Sequence, residues 1–220
     1  MSSSADATAT EADDLLGVKE LCAGNKKNSV FATEVWCWSP NDYERNLLRQ
    51  TWSDEFEFLY ELGTEIYAYI FEKSPDAKTL FPVLANAGAD WRETRVFSQQ
   101  ALRFVQVISH AVNNMYHTDR LDPILMRVGR AHCKYASRGF RPQHWVVFRE
   151  AIQVTLTKHI MAQPQLSGQQ RADAIRQWEI LALYIVQKMY QGFAAGMAEN
   201  GKAKSTKSAQ LTTSGVGGIG

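Results

Sequence analysis

Apolar residues recur at spacings of three and four through most of the chain, and this periodicity limits the possible folds more than any other feature. The clearest stripe lies within residues 91–116 and consists of Phe97, Ala101, Phe104, Ile108 and Ala111. Such spacing places side chains on one face of a helix. Residues 41–198 show no convincing alternation of apolar and polar residues of the kind that half-buried strands have. The sequence therefore predicts an all-α protein, a bundle of six to eight helices.

Two segments of different composition flank the helical pattern. Residues 1–40 are rich in Ser, Ala, Thr, Asp and Asn, and residues 199–220 turn to Gly, Ser, Thr and Lys. Both compositions bury too little apolar surface to offset the entropy of ordering. We therefore expect one globular domain at residues 41–198, between a flexible N-terminal extension and a flexible C-terminal tail. Within the extension, residues 30–38 are more apolar, and either packing onto the domain or docking to a partner would explain them.

Composition argues against several classes of function. The 24 basic residues nearly balance the 23 acidic ones, so no overall field gathers nucleic acid. No apolar run is long enough to span a membrane, and the first residues lack the pattern of a signal peptide. The cysteines, Cys22, Cys37 and Cys133, are too few and too scattered for a disulfide framework. We expect a cytoplasmic protein with no nucleic-acid partner and no membrane span.

A histidine ends one of the apolar stripes. The stripe runs through Leu121, Leu125 and Val128 to His132. A buried imidazole must find a hydrogen-bond partner. Taken alone, the spacing favours a core histidine bonded to a backbone carbonyl over a metal ligand. Gly129, three residues earlier, would leave room for a flat group beside this helix.

Two further polar side chains interrupt apolar faces. Gln100 lies on the same face as Phe97 and Phe104, and Tyr67 follows Ile66. A buried amide or phenol costs free energy unless it is paired. Each residue also has a simpler interpretation. Gln100 would lie at the boundary of the core and reach solvent, and the Tyr67 hydroxyl would reach the surface. One shared polar cavity would account for all three polar groups.

Three segments together resemble one protein family. They are ELGTEIYAYIFEKSPDAKTLFP, FSQQALRFVQVISHAV and VGRAHCKYA. The sequence resembles the globins and is most similar to the neuroglobin-like and nematode members, over about residues 42–197. The following residues fall in globin-like order and approximate spacing: Leu48, Trp52, Gly63, Pro75, Phe81, Arg103, Phe104, His132 and Trp178. The resemblance implies the globin fold.

The resemblance also implies a cofactor, haem b (iron protoporphyrin IX). His132 matches the proximal histidine, which ligates haem iron through one ring nitrogen while the other nitrogen donates to a carbonyl or hydroxyl. Phe81 matches the phenylalanine that stacks on the porphyrin, and Phe104 matches a distal wall residue that is often smaller. Arg103 matches a basic residue able to pair with a propionate. Val128, one turn before His132, is expected among the haem contacts.

The resemblance places two polar residues on the distal side of the haem. Gln100 matches the distal position, where most globins have histidine, and Tyr67 matches the distal residue of the second helix. An amide is a poor iron ligand but a good donor, so the resemblance implies five-coordinate ferrous iron rather than a bis-histidine site. Both side chains can donate hydrogen bonds to dioxygen and slow its release.

The implied function is reversible binding of dioxygen or another diatomic gas, for transport or storage. Two alternatives remain open at this stage. One is a haem redox or gas sensor that signals to a partner through its terminal extensions. The other is an enzyme such as a nitric oxide dioxygenase, which would take electrons from a protein reductant.

The other histidines and the nearby cysteine are predicted to take no part in the site. His110 lies about three turns beyond the distal position on its helix, too far to reach the same iron. His117, His144 and His159 are predicted to be surface residues. Cys133, next to the proximal histidine, is predicted to be an unreactive thiol.

Overall fold

Helices account for almost all of residues 38–213, the part of the chain that the structure, a computed structural model, describes; side chains are described for residues 38–203. The α-helices are α1 (Asp42–Gln50), α2 (Phe56–Lys73), α3 (Pro75–Thr79), α4 (Pro82–Asn86), α5 (Arg95–Asn113), α6 (Thr118–Ala131), α7 (His144–Met161) and α8 (Gly168–Thr213). Two 3₁₀ helices span Gly88–Glu93 and His132–Arg138. No strand occurs in this described part, so the all-α prediction is confirmed. Most of the predicted N-terminal extension and the end of the predicted tail, residues 1–37 and 214–220, lie outside the described residues.

Two helices begin where local sequence signals predict. Asn41 Oδ1 accepts from the backbone N–H of Glu44 at 3.0 Å, and the Glu44 carboxylate accepts from the N–H of Asn41 at 2.7 Å. This reciprocal capping box satisfies two N–H groups at the start of α1. Pro75 occupies the first turn of α3. Backbone N–H groups in the first turn have no partner within the helix, so the N–H that proline lacks costs no helical hydrogen bond.

The core consists of apolar helix faces packed on the long helix α8, which contacts α1, α6 and α7. Along α8 the spacing of Ala174, Trp178, Leu181, Ile185, Met189 and Phe193 predicts one apolar stripe, and all six residues are buried. α2 packs on α5 and α7. The spacing of Leu59, Leu62, Ile66 and Ile70 predicts its apolar stripe, and the last three of these residues are buried. The predicted stripe on α5 is buried from Phe97 to Ala111.

The end of the apolar 30–38 segment packs onto this core. Trp38 is only 3% exposed, and its ring centroid lies 5.2 Å from that of Tyr184 on α8. Packing therefore explains Trp38, while residues 30–37 lie outside the described residues.

A buried hydrogen bond joins the end of α1 to α8. Trp178 Nε1 donates to Thr51 Oγ1 at 2.8 Å, and the Thr51 hydroxyl donates to the carbonyl oxygen of Leu47 at 2.7 Å. Thr51 and Trp178 are 1% and 2% exposed. The hydroxyl thus satisfies an indole N–H that water does not reach.

We expect Thr51→Val to lower the free energy of unfolding by about 1–3 kcal/mol, because valine keeps the shape but leaves the buried Trp178 N–H without an acceptor. Urea unfolding followed by circular dichroism measures this change. Thr64→Val is the matched control, since the Thr64 hydroxyl makes an exposed bond to the carbonyl of Glu61 at 2.9 Å. The control should change stability by less than about 0.5 kcal/mol. Equal effects of the two substitutions would contradict the claim that the buried bond between Trp178 and Thr51 stabilises the fold.

α6 and α8 cross with their backbones in contact. A Cβ on Gly129 would lie 1.8 Å from the carbonyl oxygen of Met189, and one on Gly192 would lie 1.9 Å from that of Met126. Each helix therefore contributes a glycine to the crossing. Gly129 faces α8, so the expectation that it leaves room for a flat group is wrong.

On α7 the spacing of Val147, Ala151, Val154 and Lys158 predicts one stripe, and this stripe is buried only in part. Val154 is 48% exposed and the Lys158 side chain is 75% exposed, whereas Trp145, Phe148 and Ile152 are buried. The sequence of α7 carries apolar residues on nearly every side. Its periodicity therefore does not single out one face.

α8 continues beyond its predicted end at Ala198. It extends to Thr213, so much of the segment predicted to be a flexible tail from residue 199 is helical. Glu, Lys, Ala and Gln in this segment are good helix formers, and its single glycine, Gly201, costs only about 1 kcal/mol. No described helix, including this one of 46 residues, combines the length and apolarity needed to cross a membrane.

Candidate functional site

A cavity of about 240 Å³ lies among α2, α5, α6 and the start of α7. It is lined by every site residue that the sequence analysis singled out: Tyr67, Phe81, Gln100, Arg103, Phe104, Val128 and His132. The structure therefore brings the predicted set together. The wall also includes residues that the sequence analysis missed, among them Tyr135, Phe140, His144 and Trp145.

His132 lies at the junction between α6 and the 3₁₀ helix His132–Arg138. Its Nδ1 is 2.8 Å from the carbonyl oxygen of Val128, and a carbonyl only accepts, so Nδ1 carries the proton and Nε2 keeps a lone pair. Burial lowers the pKa of His132, and the charge of Lys134 acts in the same direction. The imidazole is thus neutral at pH 7, which is the form that binds metals.

Aromatic rings surround the His132 imidazole. The ring centroids of Phe140 and Trp145 lie 5.0 Å and 5.3 Å from it. Phe193 on α8 supports both, at 5.6 Å from Phe140 and 5.8 Å from Trp145. The orientation of the imidazole is therefore fixed by its bond to Val128 and by this packing. Sequence analysis missed Trp145 because the buried face of α7 was assigned wrongly.

Tyr67 and Gln100 form a hydrogen-bonded pair on a different part of the wall, contributed by α2 and α5. Gln100 Nε2 donates to the Tyr67 hydroxyl oxygen at 2.8 Å. Because this oxygen accepts, the hydroxyl hydrogen can donate to a third atom in the cavity. Burial raises the pKa of Tyr67 to about 12, and Tyr135 acts in the same direction while the Gln100 bond acts against it. The phenol therefore stays protonated.

The surroundings of this pair are aromatic. The Tyr67 ring lies 5.5 Å from Phe71, 6.3 Å from Phe81 and 5.5 Å from Phe104, measured between centroids. Phe104 in turn lies 4.5 Å from Phe148 on α7. Hydrogen bonds made in such an apolar environment are stronger than the same bonds in water.

His144 lines the cavity, so its prediction as a surface residue is wrong. Its side chain is 14% exposed, and Nε2 lies 3.1 Å from Asp76 Oδ2. Nδ1 accepts from the backbone N–H of Arg141 at 3.0 Å, so the proton is on Nε2, which donates to Asp76. Hydrogen bonds from Ser74 and His144 lower the pKa of Asp76. The pair joins α3 to the start of α7 at the edge of the cavity.

The remaining histidines and Cys133 lie outside the cavity lining. His117 is exposed as predicted, His110 is exposed on α5, and His159 is half-buried with its ring 4.9 Å from that of Phe58. The Cys133 thiol donates to a backbone carbonyl at 3.4 Å, and burial raises its pKa. A raised pKa favours the protonated thiol, which is the less reactive form.

Sequence comparison identifies the family. A sequence profile of the globins matches residues 64–177, just over half of the chain. The chain belongs to the globin family. This globin is 25% identical to the neuroglobin of Dissostichus mawsoni over 168 residues, which are 75% of this chain and 97% of that protein. The predicted family and all-α fold are thus confirmed.

A solved structure shares the fold of this globin. It is the crystal structure, at pH 4, of a hexacoordinated heme protein from an anhydrobiotic tardigrade. The TM-score is 0.61 at 23% sequence identity, and the match covers 70% of this chain and 96% of the other. At that identity the likeness concerns the fold alone.

The residues of the cavity fit the haem that the globin family implies. The neutral imidazole of His132 has an Nε2 lone pair, the donor that iron takes from a proximal histidine. The walls are largely aromatic, which suits a flat apolar ring, and Phe81 is one of them. Arg103 is exposed at the edge of the cavity, where a cation suits a propionate.

Proposed function

We propose that this globin holds haem through His132 and reversibly binds dioxygen with hydrogen bonds from Tyr67 and Gln100. The observation that carries the proposal is the 2.8 Å bond between Gln100 and Tyr67 in the cavity that His132 also lines. When bound, haem supplies a ferrous iron that takes diatomic gases. The side chains of this chain then decide how long the gas is held.

The distal pair offers two hydrogen-bond donors. The Tyr67 oxygen accepts from one amide hydrogen of Gln100, which leaves the phenol hydrogen and the second amide hydrogen to donate. With a pKa of about 12, the Tyr67 phenol remains a neutral donor throughout the physiological pH range. Two donors in an apolar pocket favour slow release of a polar gas ligand.

An iron held by His132 would find no second free imidazole among the described residues that line this cavity. Among the described lining residues, the imidazole other than His132 belongs to His144, and both of its nitrogens are already bonded, to Asp76 and to the N–H of Arg141. The tardigrade protein is described as hexacoordinated. We expect this globin to differ, with a high-spin deoxyferrous optical spectrum. Sharp low-spin bands would contradict that expectation.

We expect Tyr67→Phe to speed dioxygen release by about 10- to 100-fold. A hydrogen bond to a partly charged acceptor contributes about 1.5–3 kcal/mol, and each 1.4 kcal/mol changes a rate by about tenfold. Gln100→Leu should also speed release, because it removes one donor and frees Tyr67 from its partner. Stopped-flow replacement of dioxygen by carbon monoxide measures both rates.

Tyr69→Phe is the matched control for this experiment. Tyr69 lies two residues further along α2, and its hydroxyl donates to Glu150 Oε1 at 2.5 Å, away from the cavity lining. Its release rate should match the wild type. If Tyr67→Phe and Gln100→Leu both release dioxygen at the wild-type rate, the distal hydrogen-bond proposal is wrong, although haem binding would stand.

A further inference from the structure

A positively charged stretch of chain borders the cavity. Residues 123–149 contain six lysines and arginines and no aspartate or glutamate: Arg127, Arg130, Lys134, Arg138, Arg141 and Arg149. The whole chain has a net charge of only +1, so this concentration of charge is local. A local field of one sign steers partners of the opposite sign.

Three of these cations lie next to residues that line the cavity. Lys134 Nζ and Arg138 Cζ lie 4.8 Å and 5.5 Å from the centroid of the Tyr135 ring, which is part of the lining. The backbone of Arg141 is bonded to His144, which also lines the cavity. These three exposed residues therefore lie beside the cavity lining.

Arg103 of α5 completes the group, because it lines the cavity and is exposed. We refer to Arg103, Lys134, Arg138 and Arg141 as the basic rim. All four are exposed, and within residues 38–203 none has a carboxylate oxygen within ion-pair distance. The two propionates of a haem would balance at most two of these charges. At least two of the four positive charges would therefore remain unbalanced and could attract an acidic partner.

We propose that the basic rim docks an acidic one-electron carrier protein, which returns the oxidised globin to its ferrous state. The inference rests on the proposed haem binding but is independent of the distal hydrogen bonds. Dioxygen binds the ferrous state, so one electron must be supplied after each oxidation. The carrier loses that electron and the haem site gains it, and no bond is made or broken. The rim lies at the cavity edge, so it brings the donor to the side from which the site is nearest to solvent.

The surface suits a protein better than an anionic membrane. Helices that lie in a membrane interface insert apolar side chains between lipids. Of the large apolar side chains that are exposed in the described part, only Val146 belongs to residues 123–149. Asp76, with a side chain 73% exposed, lies beside His144 at the same edge. A partner protein can place a cation opposite the Asp76 carboxylate and carboxylates opposite the basic rim. A uniformly anionic lipid surface would repel the Asp76 carboxylate.

The test uses the haem-loaded protein and flavodoxin, an acidic flavoprotein, as the probe. The double variant Arg138→Glu/Arg141→Glu reverses two rim charges and leaves Lys134, whose charge acts on His132, unchanged. Arg176→Glu is the matched control, an exposed cation on α8 that lies about 25 Å along the helix from Phe193. Calorimetry with oxidised flavodoxin measures the dissociation constant, and stopped-flow mixing with reduced flavodoxin measures the reduction rate.

At low ionic strength the double variant should bind flavodoxin at least about tenfold more weakly and be reduced about tenfold more slowly. High salt should remove both differences, and Arg176→Glu should match the wild type. Equal constants for the wild type and the double variant would overturn the inference. Charge-dependent binding to phosphatidylserine vesicles together with equal flavodoxin constants would overturn it in favour of a membrane surface. Soret absorbance measures haem loading and so separates the docking proposal from the proposed function. A protein that fails to load haem would refute the proposed function, whereas a loaded protein with equal flavodoxin constants would refute docking at the basic rim.

Discussion

His132→Gly is expected to lower haem affinity by more than about 100-fold. The wild-type imidazole is neutral, its Nδ1 is bonded to the Val128 carbonyl, and Phe140 and Trp145 pack around it. Loss of an outer hydrogen-bond partner alone typically costs metal sites about 10- to 100-fold in affinity, so loss of the ligand itself should cost more. The rate of haem transfer to an excess of another apoglobin measures the change.

Free imidazole should restore haem retention in this variant. The substitution leaves a space of imidazole shape between Phe140 and Trp145, and an added imidazole can occupy it and present a nitrogen to the iron. His110→Gly, an exposed position on α5, is the control and should keep its haem with or without imidazole. A His132→Gly protein that retains haem as the wild type does, in the absence of imidazole, would exclude His132 as the ligand.

The sequence predicts a buried helix face only where the other side of the helix is polar. α5 and α8 have such contrast, and their predicted stripes from Phe97 to Ala111 and from Ala174 to Phe193 are buried. α7 is apolar around most of its circumference, and the stripe that its spacing predicts includes the exposed Val154. The choice of face on such a helix depends on its neighbours, which the local pattern does not contain.

The cavity residues that escaped prediction depend on contacts between distant parts of the chain. His144 starts α7 directly after Arg141, Pro142 and Gln143, and it pairs with Asp76, which is 68 residues away in the sequence. Trp145 packs against His132 and Phe193, which belong to other helices. No local spacing encodes such contacts.

For His132, the spacing of residues alone does not distinguish a core histidine from a haem ligand. The simpler interpretation was a core histidine bonded to a backbone carbonyl, and the bond to Val128 is present at 2.8 Å. A proximal ligand needs the same bond, so both interpretations share it. The ligand is favoured by the cavity that His132 shares with Tyr67 and Gln100 and by membership of the globin family.

Gly129→Ala is expected to lower the free energy of unfolding by more than about 3 kcal/mol. The new Cβ would lie 1.8 Å from the carbonyl oxygen of Met189, and this obstacle is backbone rather than a flexible side chain. α6 and α8 must separate to admit it. Alanine is the better helix former by about 1 kcal/mol, so propensity alone predicts the opposite sign. Urea unfolding followed by circular dichroism decides between the two.

Gly201→Ala is the control for that experiment, because no atom lies within 4 Å of a Cβ built on this glycine of α8. It should leave stability unchanged or raise it by up to about 1 kcal/mol. Gly129→Ala should also release haem faster, since α6 ends at Ala131, directly before His132, and its displacement moves the imidazole away from the cavity it shares with Tyr67. A Gly129→Ala protein as stable as the wild type would contradict the backbone contact between α6 and α8. It would also contradict the inference that this contact holds His132 beside the cavity.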